Sequence, residues 1–169
     1  MLGGNKLEMV VVHDLTNKPH QRLEQLQRDR VIREKLVLNY GMFRSTNGAS
    51  SKARNGGAGT GSNHGASPQS TDVEDLFAPA SYLGFFNGAF AKQLNGVKVT
   101  EGDLLPGERI VERIGRYLRD KRIELRPSGG FNHYTVANYV AINPPKKWDK
   151  DTLARFEALF TRVNSLLSD

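Results

Sequence analysis

Apolar and polar positions alternate between two periods along this chain, and the change of period divides it. Leu7 to His13 contains three consecutive valines and is too short for a helix, so it reads as a buried strand built from β-branched residues. The polar turn Thr16-Asn17-Lys18-Pro19 follows. From His20 to about Arg33 good helix formers dominate, with Leu23, Leu26 and Val31 or Ile32 on one side and Pro19 where a helix start tolerates it. Lys35 to Asn39 reads as a second strand. Strand, helix and strand in so short a span predict a βαβ unit, which requires a parallel pair and a right-handed crossover.

Ser45 to Thr71 contains no large apolar residue and cannot bury enough surface to offset its ordering entropy. It is expected to be a flexible low-complexity linker. Beyond it the helical period takes over. Thr71 and Glu74 have the spacing of a capping box. Ser81 to Leu94 predicts a helix carrying Leu83, Phe86, Phe90 and Leu94, weakened by Gly84 and Gly88. Glu108 to Arg122 repeats Ile110, Val111, Ile114, Tyr117 and Leu118 on one face, opposite Arg109, Arg113, Arg116, Arg119, Lys121 and Arg122. A short helix is expected from His133 to Ala141. Asp149 should cap a last helix whose apolar face is Leu153, Phe156, Leu159, Phe160, Val163, Leu166 and Leu167.

Composition narrows the function classes. A length of 169 residues suits one compact domain, and an apolar fraction of 38% is low chiefly because of the polar stretch. The absence of cysteine excludes disulfides, thiolate zinc sites and cysteine nucleophiles. With neither a signal-peptide pattern nor a run of roughly 18 apolar residues, a soluble cytoplasmic protein without a membrane partner is expected. The net charge of +6 is compatible with a polyanion such as DNA.

Three features carry candidate chemistry. Asp14 ends the first strand, where the crevice of an open α/β sheet lies, and carboxylates there can serve a divalent cation; the competing reading is an aspartate that opens a turn. Asp72, Glu74 and Asp75 crowd three carboxylates that repel one another without a nearby cation, although acids also favour a helix N-terminus. His133 follows Gly129-Gly130 at a helix start and could act as acid, base or phosphate donor, or merely sit at the surface. His13, His20, His64 and His133 show no paired ligand spacing, and no phosphate-loop, HExxH or GxSxG motif occurs.

The order VVVHD, KPHQRLEQLQR, EKLVLNYGMF, TDVEDLF and YLGFFNGAF resembles the TOPRIM nuclease region of overcoming-lysogenization-defect (OLD) family proteins. GERIVERIGRYLRDK, GGFNHYTVANYVAINPP and LARFEALFTRVNSLL resemble the helical continuation in the same proteins. The resemblance implies an α/β fold with a TOPRIM-like partial parallel sheet over 1–44, the linker over 45–71, and a TOPRIM continuation with a helical C-terminal region over 72–169. It implies metal-dependent DNA cleavage with Mg2+ or Mn2+ held by Asp14, Asp72 and Glu74. His133 falls at the family's basic position, as a catalytic contact to phosphate. Thr16 stands where the family's strand end carries a second acid. The family's upstream glutamate and ATPase domain would lie ahead of Met1. The chain is therefore expected to be the C-terminal part of a larger protein, a degenerate copy or half of a split system, with an incomplete catalytic site. The alternative is a non-catalytic DNA-binding or oligomerisation module that partners an ATPase domain or subunit, or its own copy.

Overall fold

The computed structural model describes residues 10–14, 17–29, 36–44, 70–127 and 129–167. Leu7 to Met9, Thr16, the segment 30–35 and Ser45 to Gln69 lie outside the described residues, and with them the C-terminal end of the expected first helix and nearly all of the expected linker.

Strand β1 (Val11–His13) and strand β2 (Val37–Asn39) pair in parallel, with Val11 opposite Val37, Val12 opposite Leu38 and His13 opposite Asn39. Helix α1 (Asn17–Arg28) connects them, as the apolar pattern predicts. Beyond the sheet the chain is mostly helical: α2 (Pro79–Ala89), α3 (Ile110–Asp120), α4 (His133–Ile142) and α5 (Lys150–Leu167). The architecture is mixed α/β with a two-stranded parallel sheet. Among the described residues no helix is long and apolar enough to cross a membrane.

Two apolar clusters hold these elements. The first joins α2, α3 and α4 around Leu83, Phe86, Ile114, Leu118, Phe131 and Val136. Its aromatic centre is tightly arranged, with the Phe86 ring 5.3 Å from Phe90 and 5.1 Å from Phe131. Helix α2 opens on Pro79, whose missing N–H costs nothing at a helix start. It ends earlier than expected, but Phe90 and Leu94 stay buried through the turns that follow. Gly88 has a packing role: a Cβ there would collide with the Tyr139 ring, so its small size lets α4 lie close against α2.

The second cluster joins the two ends of the chain. Leu159 and Leu166 of α5 pack with Leu38, Phe43 and Leu76, and with the half-buried Val10, Val12 and Tyr40. The expected apolar face of α5 was too broad. Phe156, Leu159, Val163 and Leu166 face the cluster, whereas Leu153, Phe160 and Leu167 are exposed, Phe160 by 58%. Thr152 takes a buried position instead. Its Oγ1 accepts the Ala78 N–H at 2.9 Å, and its own N–H is capped by Asp149 Oδ1 at 2.9 Å, as expected for the helix start.

Between the two clusters lies a single 3₁₀ turn, Val73–Leu76. Leu76 belongs to the second cluster, while Phe77 packs against the first. This turn carries the acids.

Candidate functional site

The capping box sits one residue later than the sequence spacing indicated. Asp72, not Thr71, precedes the turn, and Asp75 takes the third position. Asp75 Oδ2 accepts the Asp72 N–H at 2.9 Å, and Asp75 Oδ1 accepts the Ile110 N–H at 2.8 Å, which is the first N–H of α3. One buried carboxylate thus satisfies two backbone donors and fixes the turn to α3. Its burial raises the Asp75 carboxyl above the usual range, against those two bonds and the positive charge of Arg44 and Arg109. Asp75 has a structural task, and Glu74 is left free of the capping role.

Glu74 turns instead toward α4. Its Oε1 lies 2.6 Å from Nδ1 of His133, the first residue of that helix. Asn132 positions the histidine by capping α4, its Oδ1 accepting the Tyr134 N–H at 2.9 Å. The Phe131 ring stacks on the imidazole at 5.3 Å with an interplanar angle of 15°. His133 remains 48% exposed at its side chain while Glu74 is largely covered. Burial works to raise the Glu74 carboxyl, but the His133 bond and charge outweigh it and hold it below its ordinary value. The same bond raises the His133 imidazole, with burial opposing.

Among the described residues Asp72 is the least exposed acid, at 3%. Arg109 meets a single oxygen of it, with Nε 2.7 Å and a terminal guanidinium nitrogen 2.6 Å from Oδ2. Arg109 also pairs with Glu112 at 3.0 Å. Among the described residues Asp72 Oδ1 is buried without a hydrogen-bond partner. Burial raises this carboxyl above its usual range in spite of Arg109, and the charges of Asp14 and Glu74 push the same way. For Arg109 burial works against the charge, yet its bond to Asp72 and the surrounding acids raise it further.

Asp14 lies exposed just beyond β1, with the His13 ring nitrogen Nδ1 2.8 Å from its carbonyl oxygen. Its negative charge reaches both Asp72 and the Tyr40 phenol after β2, which burial first and then Asp14 and Glu74 raise above its ordinary value. Of the four residues singled out from sequence, Glu74 and His133 are in contact beside Asp72, whereas Asp14 acts on Asp72 and Tyr40 through its charge alone. Asp14 arrives on the sheet, Asp72 and Glu74 on the 3₁₀ turn, and His133 on α4. Thr16 lies outside the described residues.

Arg109 is the participant that sequence reasoning assigned only to a basic helix face. Its position at the residue before α3, ahead of the apolar repeat that begins at Ile110, is the one signal that separates it from the outward arginines.

Carboxylate oxygens are the hard donors that Mg2+ and Mn2+ prefer, and the unpartnered Asp72 Oδ1 is a donor of that kind. As they stand, no three His, Asp or Glu side chains among the described residues converge closely enough to hold a metal ion. Asp72 Oδ2 is committed to Arg109 and Glu74 Oε1 to His133, so a cation at these acids would share the carboxylates with two basic side chains.

The fold and site together define a mixed α/β protein in which a short parallel sheet and a helical region meet at a cluster of charge-paired acids. No family model, no curated protein and no solved structure matches this chain.

Proposed function

We propose that this chain is a TOPRIM-like C-terminal portion of an OLD-family protein whose reaction is metal-dependent phosphodiester hydrolysis in DNA. The observation that supports it most is the pairing of Glu74 on the 3₁₀ turn with His133 at the start of α4 beside the enclosed Asp72, with Asp14 at the end of a parallel strand adding its charge from across the fold. A carboxylate at the end of a parallel strand suits cation and phosphate chemistry, because the crevice of an open α/β sheet lies there.

Asp14, Asp72 and Glu74 are the residues that would hold Mg2+ or Mn2+, which would supply charge stabilisation to a phosphodiester. Arg109 orients Asp72 and offsets its charge in the buried state. His133, half exposed and held by Glu74, would donate a proton or a hydrogen bond to a phosphate oxygen. Nicking of supercoiled plasmid with manganese, comparing the wild type with Asp14→Ala, tests the assignment. Loss of nicking in the variant is expected, and equal activity in both overturns it.

One observation favours a second reading, a non-catalytic DNA-binding or oligomerisation module that partners an ATPase domain or subunit. Asp72 and Glu74 already have basic partners in Arg109 and His133, which is what acids with a purely structural role would have. Calorimetry separates the readings. Heat from millimolar manganese that vanishes in Asp14→Ala supports hydrolysis, and no heat with DNA binding or self-association intact supports the module.

A further inference from the structure

Two residues of α3 and its end go against local preference, and they flank the same arginine. Gly115 stands in the middle of the helix, where alanine is the better helix former. Packing does not demand the glycine: a Cβ there would meet one neighbour within 4 Å, Arg119 Nη1, at an ordinary 3.6 Å. Arg122 follows the end of α3 with φ +54°, in the left-handed region. Its N–H donates to the Arg119 carbonyl at 3.1 Å, and the Ile123 N–H donates to the Leu118 carbonyl at 2.8 Å. That pair of bonds closes a helix over a position that favours glycine. Beyond α2 the chain fills its left-handed positions with Asn95 and Gly96, which tolerate them. Beyond α3 it keeps an arginine.

Arg119 lies four residues after Gly115 and three before Arg122, the spacing of one helix face. Arg119 and Arg122 are both exposed, and among the described residues neither guanidinium has a hydrogen-bond or ion-pair partner. The arginines nearer the start of α3 are committed: Arg109 to Asp72, Arg113 to the Leu105 carbonyl and Arg116 to the Pro106 carbonyl. Cations at a helix C-terminus gain from the macrodipole, but that gain requires neither a left-handed arginine nor a glycine earlier in the helix.

We propose that the side of α3 bearing Gly115, Arg119 and Arg122 holds the phosphate backbone of duplex DNA. Local rules broken without a gain to the fold mark residues kept for binding. Guanidinium groups match phosphate oxygens in a fork, and a glycine lets a strand come close to the helix. The choice of DNA among polyanions rests on the proposed action on DNA, whereas the surface itself is independent of the acids and of any cation.

The full chain is titrated in EDTA with a short fluorescent DNA duplex, and anisotropy is followed over a range of salt concentrations. Arg122→Gly relieves the left-handed residue and removes a charge, so a higher urea midpoint together with about fivefold weaker binding is expected. Adding Arg119→Gln should flatten the slope of log affinity against log salt by about 1.8, two phosphates at about 0.9 each. Gly115→Ala leaves every charge in place and should raise the midpoint while weakening binding. Arg162→Gln removes a charge from the exposed side of α5 and should bind like the wild type.

A wild type that does not bind the duplex overturns the proposal, as does a lower urea midpoint in Arg122→Gly. Unchanged affinity in the double variant, or an equal loss in Arg162→Gln, overturns it too. Polyglutamate that binds as tightly as the duplex overturns the assignment to DNA in favour of an acidic protein. Binding that follows these variants without manganese-dependent nicking would sink hydrolysis and keep the surface, whereas nicking by a chain whose binding ignores them would do the reverse.

Discussion

The two apolar clusters differ in how they are assembled. The cluster of α2, α3 and α4 draws all its buried residues from the stretch Tyr82 to Val136, so its contacts are comparatively local. The cluster of the sheet and α5 joins Val10 and Leu38 to Leu159 and Leu166, across almost the full chain. Loop closure costs entropy before such distant contacts form, so the second cluster is the one whose formation depends on the rest of the fold. Asp14 is positioned by the second cluster and His133 by the first. The acid site exists only when both have formed.

Mutations that strike one cluster and spare the other should expose this difference. The largest effect is expected for Phe86→Ala, which removes a fully buried ring from the first cluster at a cost of about 3–5 kcal/mol. Urea unfolding measures it, with faster hydrogen exchange expected in α2, α3 and α4. Leu159→Ala should cost about 2–4 kcal/mol, with faster exchange confined to β2 and α5. Faster exchange throughout would mean that the two clusters fold as one unit.

Asp75→Ala strikes the join. It leaves the Asp72 and Ile110 N–H groups unpaired and should lower stability by about 1–3 kcal/mol. Glu74→Ala leaves those groups paired, so its stability loss should be smaller; the opposite ranking would return the capping role to Glu74.

The smallest effect concerns pH. His133 is raised above 6.5, so its share of the ion-pair stability is fully present below that value and is lost as pH rises through the folded one. Glu74 is lowered from 4.5, so its share is present above that value and lost as pH falls through the folded one. The difference in stability between the wild type and His133→Gln should therefore be greatest between pH 4.5 and 6.5. A difference that stays flat from acid to neutral pH would remove the ion pair from the stability of the fold.

The sequence was informative wherever a period repeats. The apolar repeat of α3, the Asp149 cap of α5 and the parallel pairing of β1 with β2 follow from spacing, β-branched residues and turn signals alone. It was less informative about one-residue offsets and about which side of an amphipathic helix is covered. Thr71 and Asp72 both suit an N-cap, and the choice fell to Asp72 because Asp75 can then reach the start of α3. Leu153, Phe160 and Leu167 match the repeat of α5, yet the sheet and the 3₁₀ turn are too small to cover the helix on that flank.

Local pattern thus determined which segments become helices and strands, because periodicity and capping act over a few residues. It also marked Asp14, Asp72, Glu74 and His133 as chemically apt. Tertiary structure decided the partners. Arg109 could serve Asp72 only once α3 packed beside the turn, and Glu74 could meet His133 only once Asp75 had taken the cap. Charge pairing depends on distance in space, and side chains far apart in sequence acquire that distance only when both clusters have closed.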